Sequence, residues 1–230
     1  MSPVSALTPA NLTFVTPGTP TTTAPAVWDY VESYLGEDEV LQAARARGVE
    51  LGCTPIGPGG GAALRFLAAA LRARAVVEVG TGCGVSGLWL LRGMAPDGVL
   101  TSIDVEPEHQ RVAKRAFTEA GVAPSRARLI MGQPLDVLPR LTDGGYDMVF
   151  VAYGVTEYPR YLQAGVRLLR DGGVIVFDDA LWHGRVADPT HRDAETVAVR
   201  EISRAMREEE NLVPALLPVG NGLLAAAKLG

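Results

Sequence analysis

A glycine-rich stretch after an apolar run constrains this chain more than any other feature. Residues 76–87 read Val-Val-Glu-Val-Gly-Thr-Gly-Cys-Gly-Val-Ser-Gly, and a helical apolar pattern continues through residues 88–91. This order predicts the first strand of a parallel sheet, a tight turn and the start of a helix. Glycines permit positive φ and close approach of a ligand, and a helix start offers unpaired N–H groups. The stretch therefore predicts a site for a nucleotide-like cofactor.

Two cofactor classes fit the glycine spacing. Gly82, Gly84 and Gly87 satisfy the G-x-G-x-x-G pattern of dinucleotide folds, and Asp104 follows at about the distance of their ribose-binding acid. Counted from Glu78, the stretch also reads E-x-G-x-G-x-G, which resembles the first motif of S-adenosylmethionine-dependent methyltransferases. A pyrophosphate disfavours a nearby carboxylate, whereas Glu78 can tolerate or orient the ammonium of S-adenosylmethionine. The methyl donor is therefore favoured, and an NAD-linked oxidoreductase stays as an alternative.

Composition suggests one folded domain after an arm. The 230 residues are 47% hydrophobic, which suits a single core, and we assign the domain to residues 27–230. Residues 1–26 carry no charge and several prolines, so we expect a flexible arm without a regular helix.

Charge and cysteine content limit the partners and the compartment. The net charge is −5 and no basic cluster is present, so we expect no nucleic-acid partner. No apolar run approaches the roughly 20 residues of a membrane span. The first positive side chain is Arg45, so the start of the chain lacks the charge typical of a secretion signal. With only Cys53 and Cys83, a disulfide framework is not expected, and the sequence predicts a reduced, cytoplasmic protein.

Alternation of strand and helix patterns predicts the fold class. After the glycine turn, strand–helix units are followed by a closing hairpin, which indicates a doubly wound α/β sheet with one antiparallel strand. The hairpin favours a methyltransferase sheet over a dinucleotide-binding half, which would continue with parallel units. The later predicted strands cover residues 99–104, 127–131, 146–152, 174–177, 212–217 and 223–228.

Two glycine-rich segments are predicted to interrupt this pattern. Residues 54–61 read Thr-Pro-Ile-Gly-Pro-Gly-Gly-Gly and predict a break before a helix over residues 62–71. This break either folds over a ligand or serves as a plain linker. Residues 171–173, Asp-Gly-Gly, predict a turn before the strand at 174–177.

Five segments in this order resemble the small cation-dependent O-methyltransferases, the family that includes catechol and caffeoyl-coenzyme A O-methyltransferases. They lie at residues 77–86, 101–108, 168–176, 178–188 and 217–222. The resemblance covers roughly residues 28–228. It implies a Rossmann-like class I methyltransferase fold, with a seven-stranded, mostly parallel sheet, one antiparallel strand and helices on both faces.

The resemblance also implies the residues of the cofactor site. Ser86 would bind the carboxylate of the methyl donor, and Asp104 would take both ribose hydroxyls, although a role at the start of the next helix is an alternative. Gln133 would read the adenine, unless it only shapes its turn, and Tyr153 would stack on the adenine. The complete set is Glu78, Gly80, Gly82, Gly84, Ser86, Asp104, Gly132, Gln133 and Tyr153.

The sequence departs from the family pattern where a metal ion would bind. The family has a metal-ligating Asp where this chain has Ala152, a second acid at Gly154, and a lysine base at Val155. Asp178 and Asp179 occupy the positions of the remaining metal pair. Because a hard cation takes about six oxygen ligands, we expect a degraded site with doubtful Mg²⁺ binding.

Loss of the metal and of the lysine leaves the catalytic base unknown. Asp179, Tyr153 and His183 are weak candidates, chosen because they are the polar groups nearby in sequence. The sequence predicts an O-methyltransferase for a small molecule, metal-independent or weakly metal-dependent. A catalytically inactive S-adenosylmethionine-binding protein is the main alternative. The apolar N-terminal helices suggest a homodimer.

Overall fold

Seven strands form one sheet in the computed structural model, which describes residues 24–230. The strand order is β3-β2-β1-β4-β5-β7-β6, and β7 runs antiparallel to both of its neighbours while the other pairs are parallel. The predicted doubly wound sheet with one antiparallel strand is confirmed. The strands are β1 Ala75–Val79, β2 Val99–Asp104, β3 Ala127–Met131, β4 Tyr146–Val151, β5 Leu169–Phe177, β6 Leu212–Leu217 and β7 Leu223–Lys228.

Helices connect the strands and precede the sheet. Two of them begin with acidic caps, because the side chains of Asp38 and Asp193 accept the N–H groups of Leu41 and Thr196. The helices are α1 Ala24–Ser33, α2 Glu39–Glu50, α3 Pro58–Ala70, α4 Val85–Gly93, α5 Pro107–Glu119, α6 Pro134–Val137, α7 Tyr158–Leu168 and α8 Ala194–Glu208. Short 3₁₀ turns cover Pro124–Arg126, Leu138–Arg140, Val155–Glu157 and Trp182–Ala187. Within residues 24–230, no helix combines the length and the apolar character that crossing a bilayer requires.

The beginning of the first helix differs from its prediction. The predicted arm of residues 1–26 lies outside the described residues, apart from its last three, and these already belong to α1. Pro25 does not prevent this, because a proline in the first turn of a helix removes no intrahelical hydrogen bond.

The predicted break over residues 54–61 was wrong in its second half. The helix α3 begins at Pro58, so residues 59–61 are helical glycines. A Cβ atom on Gly61 would overlap the ring of Trp89 in α4, and one on Gly60 would lie 2.8 Å from Ile56. Close packing, rather than a need for flexibility, therefore accounts for these glycines.

The predicted turn at residues 171–173 also lies inside an element. The strand β5 starts at Leu169, and its register against β4 shifts between the pairs of Tyr146 and Met148. Gly172 has a φ of +74°, which a side chain would disfavour. The Asp-Gly-Gly sequence is therefore a bulge that the strand accommodates.

Alternating side chains of the sheet face two separate cores. In β1, Val77 and Val79 pack on the side of α7 and α8, whereas Val76 packs on the side of α3 and α4. Glu78 lies in sequence between Val77 and Val79. Because side chains alternate along a strand, the side chain of Glu78 points to the opposite face, which α4 covers. Helices cover both faces, and the carboxyl ends of the parallel strands meet at one edge.

Candidate functional site

A cavity of about 190 Å³ lies at the carboxyl ends of β1, β2, β4 and β5. The strand order reverses there, because the chain leaves β1 for β2 on one side and reaches β4 on the other. Open α/β sheets place ligands at such switch points. The wall combines strand ends with a segment from the start of the chain. Its residues are Cys53, Thr54, Pro55, Ile56, Gly80, Thr81, Gly82, Cys83, Val85, Ser86, Asp104, His109, Ala152, Tyr153, Asp178 and Asp179.

The glycine turn between β1 and α4 contributes mainly backbone atoms to this wall. Gly80, Gly82 and Gly84 have φ values of +97°, +47° and +86°. A Cβ atom on Gly84 would lie 3.0 Å from Cα of Ala113, so the turn packs tightly against α5. A Cβ atom on Gly82 would meet no atom of residues 24–230 within 4 Å. The open space beside Gly82 lets a ligand approach the backbone.

Glu78 lies behind the turn rather than in the cavity wall. Its carboxylate is fully buried and accepts hydrogen bonds from the hydroxyls of Ser86 and Ser102, at 2.6 and 2.5 Å. The hydroxyl of Ser102 also lies 2.7 Å from that of Thr81. Burial raises the pKa of Glu78 to about 7, against the opposing effect of the two serine hydroxyls. Glu78 therefore braces the turn, and the proton of Ser86 is directed at Glu78.

Replacing Glu78 by Gln is expected to flatten the dependence of stability on pH. The fold raises the pKa of Glu78 from 4.5 to about 7, so between these values the folded chain keeps a proton that the unfolded chain releases. The free energy of unfolding therefore falls as pH rises through this window, by on the order of 2 kcal/mol from this residue. Burial and Asp179 raise the pKa of Asp178 to about 7 as well, so part of the fall remains in the variant.

Urea unfolding at pH 5 and pH 8 measures this difference. The exposed Glu106 supplies the matched control, because Glu106→Gln removes the same charge without touching the buried cluster. A Glu78→Gln variant with the same pH dependence as the parent chain would contradict the assignment.

Asp104 ends β2 at the edge of the cavity and holds the turn in place. One carboxylate oxygen accepts the N–H of Gly82 at 2.8 Å, and the other accepts the N–H of Glu106 at 2.9 Å. The ring of His109, in the first turn of α5, has Nδ1 3.4 Å from Asp104. Asp104 is nearly buried, with 5% of its surface exposed, and it lines the cavity.

The predicted adenine-side residues lie around this edge in two places. Tyr153 follows β4, lines the cavity and is 41% exposed. Gly132 donates its N–H to the carbonyl of Asp104, and Gln133 is an exposed residue at the start of α6. Gly132 and Gln133 are outside the cavity wall, next to the strand end that carries Asp104. Their contact with an adenine stays a prediction.

Asp178 and Asp179 form the opposite side of the cavity, after β5. Oδ1 of Asp178 accepts the N–H of Asp179 at 2.8 Å, and Oδ1 of Asp179 accepts the side-chain amide of Asn221 at 2.8 Å. Asp179 has a φ of +56°, in the left-handed region that non-glycine residues rarely adopt. Oδ1 of Asn221 in turn accepts the N–H of His183. The turn before β7 therefore fixes the orientation of Asp179.

The oxygen ligands here are fewer than those of the resembled family's divalent-cation site. Ala152 stands at the end of β4 and has no oxygen in its side chain. One oxygen of Asp178 and one of Asp179 already accept N–H groups, and both amide atoms of Asn221 are engaged. Among residues 24–230, no group of three or more His, Cys, Asp or Glu side chains is arranged to hold a metal ion. The described residues therefore offer Mg²⁺ only the remaining oxygens of Asp178 and Asp179, and water would have to complete the roughly six oxygen ligands that this ion takes.

The three base candidates have different positions. Asp179 and Tyr153 line the cavity, whereas His183 is exposed, outside the wall, and has its ring 5.9 Å from that of Trp182. His183 belongs to a turn in which it has a φ of +54°. The structure therefore does not bring His183 to the cavity, and only its backbone N–H contributes, through Asn221.

Several wall residues were missed by the sequence analysis. Residues 54–56 lie in the wall, in agreement with the alternative that the break over residues 54–61 folds over a ligand. Cys53 was missed, because it reaches the cavity through the packing of α2 and α3 against α4 and α5, which no local pattern reveals. His109 could have been found, because it lies in the first turn of the helix that follows Asp104. Asn221, which is outside the wall and bonds to Asp179, carries a weaker signal, since it belongs to the predicted hairpin turn.

Comparisons with known proteins agree on one family. The family model described as O-methyltransferase matches residues 34–229. A Mycobacterium marinum protein, provisionally named an O-methyltransferase, is 53% identical over 93% of this chain and 96% of its own length.

Solved structures show the same fold. A Corynebacterium glutamicum protein is 36% identical and superposes with a TM-score of 0.83 over 90% of this chain and 97% of that one. The O-methyltransferase TomG of Streptomyces achromogenes is 31% identical, with a TM-score of 0.81 over 91% of this chain and all of that one. TomG was solved in complex with S-adenosylmethionine and is described as involved in tomaymycin synthesis.

These findings confirm the predicted cofactor and class I fold. The resemblance is confirmed as well, and the oxidoreductase and inactive alternatives gain no support. The bare turn at Gly82 and the carboxylate of Asp104 fit a cofactor with a polar amino-acid end and a ribose. The chain belongs to the O-methyltransferase family, and it is an S-adenosylmethionine-dependent enzyme that methylates oxygen.

Proposed function

We propose that the protein methylates a hydroxyl group of a small molecule without a resident divalent cation. This proposal rests on the oxygen ligands available to a cation. Ala152 supplies none, and Asp178 and Asp179 each have one oxygen that accepts an N–H group. The uncharged Val155 adds no lysine-like base. The chain therefore lacks one metal-ligating side chain and the lysine base that the cation-dependent reaction uses in the resembled family.

The cofactor side of the proposal rests on the turn and on Asp104. Gly82 leaves open space for the amino-acid end, and the carboxylate of Asp104 can accept both ribose hydroxyls. Tyr153, at the rim, would cover the adenine side. Glu78 acts through the turn, because its carboxylate is bonded to Ser86 and Ser102 behind it.

In the chemical step, the main contribution of the protein is to position the acceptor oxygen and the methyl donor. S-adenosylmethionine supplies a methyl group on a positively charged sulfur, and the acceptor oxygen displaces that sulfur in line. Holding two reactants in this geometry contributes about 7–11 kcal/mol in favourable cases. Residues 54–56, which precede α3, line the same cavity as Asp178 and Asp179 and would orient the acceptor. The proton of the hydroxyl leaves to one of these two carboxylates or, for an acceptor that arrives ionised, is already absent.

A methyl-transfer assay over a panel of phenols and catechols tests this function. We expect turnover with an accessible phenol, unchanged within about twofold by Mg²⁺ or by a chelator. Strict dependence on Mg²⁺ would refute the cation-free reaction. Binding of S-adenosylhomocysteine without any methyl transfer over the panel would instead favour a protein that binds the cofactor and does no chemistry.

Restoring the missing groups gives a sharper form of this test. The double variant Ala152→Asp with Val155→Lys adds a carboxylate and a base at the family positions, so it is expected to gain a response to Mg²⁺. Ala152→Asn with Val155→Lys is the matched control, because the amide has the same shape without the charge. A response in both variants, or in neither, would argue against descent from a cation-dependent enzyme that lost its metal site.

We also propose a homodimer and a cytoplasmic location. Large apolar side chains are exposed in and just after α1 and on α3, including Tyr30, Tyr34 and Phe66 at about 70%. A second copy is the simplest cover for such a surface. Both cysteines are free thiols, as expected in a reducing compartment. Light scattering of the purified chain measures the assembly, and a monomeric mass would exclude the dimer.

A further inference from the structure

We propose that Cys53 and Cys83 form a redox modification site, in which a hydroperoxide converts the two thiols into a disulfide across the cofactor turn. The two sulfur atoms lie 3.4 Å apart in the wall of the cavity. They are the only cysteines of the chain, and they are separated by 30 positions. The fold has therefore brought the whole thiol content of the protein to its functional site.

Backbone contacts hold both cysteines in place. Cys53 follows α2, and its N–H donates to the carbonyl of Gly48 at 2.9 Å. Cys83 lies in the glycine turn, where the N–H of Gly84 donates to the carbonyl of Thr81. A Cβ atom on Gly48 would lie 3.3 Å from the sulfur of Cys83, so the glycine provides the room for that side chain. The proximity is therefore built by two ordered segments.

His109 can act as a proton acceptor for the cysteine pair. Nε2 of His109 lies 3.3 Å from the sulfur of Cys53, and Nδ1 lies 3.4 Å from Asp104. His109 can therefore take the proton of Cys53 while Asp104 holds the ring. Burial raises the pKa of the Cys53 thiol and that of Cys83, the latter to about 12, so we expect slow oxidation at neutral pH. Cys53 reacts first, since Cys83 is only 2% exposed.

The reaction balances with the peroxide as its only co-reactant. The sulfur of Cys53 attacks one peroxide oxygen, the O–O bond breaks, and a sulfenic acid and one water form. The sulfur of Cys83 then attacks the sulfur of Cys53, which releases a second water as the S–S bond forms. Two thiols lose two electrons and two protons, and hydrogen peroxide becomes two waters.

The disulfide changes the geometry of the cofactor turn. The sulfur atoms, now 3.4 Å apart, must approach by about 1.3 Å, because an S–S bond is about 2.05 Å long. Cys83 follows Gly82, whose N–H donates to Asp104. Formation of the S–S bond therefore displaces the glycine turn. This consequence rests on the proposed cofactor site, whereas the modification itself does not. We expect S-adenosylhomocysteine to bind about tenfold more weakly to the oxidised chain.

Intact mass after peroxide treatment tests the modification without reference to the cofactor. We expect the parent chain to lose two mass units and both titratable thiols while staying free of intermolecular bonds. The variants Cys53→Ser and Cys83→Ser are matched controls: neither can lose two mass units, and the remaining thiol should gain oxygen or react slowly. Oxygen adducts on the parent chain without the loss of two mass units, or no reaction, would overturn the proposal.

Calorimetric titration with S-adenosylhomocysteine then separates this proposal from the proposed function. Weaker binding after oxidation, restored by dithiothreitol and absent in Cys83→Ser, is the expected result. If the disulfide forms and the affinity stays unchanged, the link to the cofactor turn is wrong. If the reduced chain does not bind S-adenosylhomocysteine at all, the cofactor site is wrong, and the mass result still decides the modification.

Discussion

Replacing Asp104 by Asn is expected to weaken S-adenosylhomocysteine binding by about 100-fold, because the two proposed charge-assisted hydrogen bonds to the ribose would be lost or weakened. The carboxylate lines the cavity at the end of β2, and its buried position makes an imperfect partner costly. An amide has one acceptor oxygen, so it cannot accept both ribose hydroxyls and still hold the N–H groups of Gly82 and Glu106. Isothermal titration calorimetry measures the change directly.

A structural contribution of Asp104 has to be separated from its contact with the ligand. Thermal unfolding without ligand reports the cost of losing its bonds to Gly82 and Glu106, which we expect to be smaller than the effect on binding. Glu106→Gln removes an exposed charge two positions away and should leave the affinity within about twofold. An affinity of Asp104→Asn equal to that of the parent chain would remove Asp104 from the cofactor site.

Replacing Gly84 by Ala is expected to lower the free energy of unfolding by about 3 kcal/mol, more than any exposed substitution. Its φ of +86° costs an L-residue about 1–2 kcal/mol. The new methyl group would also lie 3.0 Å from Cα of Ala113 and 3.1 Å from Phe117, so α4 and α5 have to move apart. Overpacking of this kind typically adds about 1–3 kcal/mol.

Gly82→Ala is the matched control, two residues earlier in the same turn. It shares the positive φ, at +47°, but its added Cβ atom meets no atom of the described part of the chain within 4 Å. We therefore expect a stability loss of about 1 kcal/mol, from backbone conformation alone. Urea unfolding of both variants separates the cost of the backbone conformation from the cost of overpacking. Equal losses of stability would show that packing against α5 is unimportant.

Local sequence patterns predicted most of the sheet. The strands β2, β3, β6 and β7 have the predicted bounds, because turn residues and alternation mark both of their ends. The strand β5 does not, since Gly172 reads as a turn although the pairing with β4 continues past it. The helix α3 differs for the same reason, because its glycines look like a break and serve instead for contact with α4.

The site was predictable where it follows a strand end. Asp104 and Tyr153 line the cavity, as expected of residues placed directly after β2 and β4. The burial of Glu78 was not predictable, because it depends on Ser102 from a different strand. The approach of Cys53 to Cys83 depends on the packing of α2 against the turn, which no spacing in the sequence encodes.

The wall segment at residues 54–56 has a consequence for how related enzymes diversify. It belongs to the connection between α2 and α3, whereas the glycine turn and Asp104 belong to the sheet. Substitutions at these three positions in related enzymes would therefore change which acceptor is bound and leave the proposed cofactor-binding residues unchanged. In the proposed assignment, acceptor selectivity and cofactor binding belong to separate parts of the chain, so substitutions can change one without changing the other.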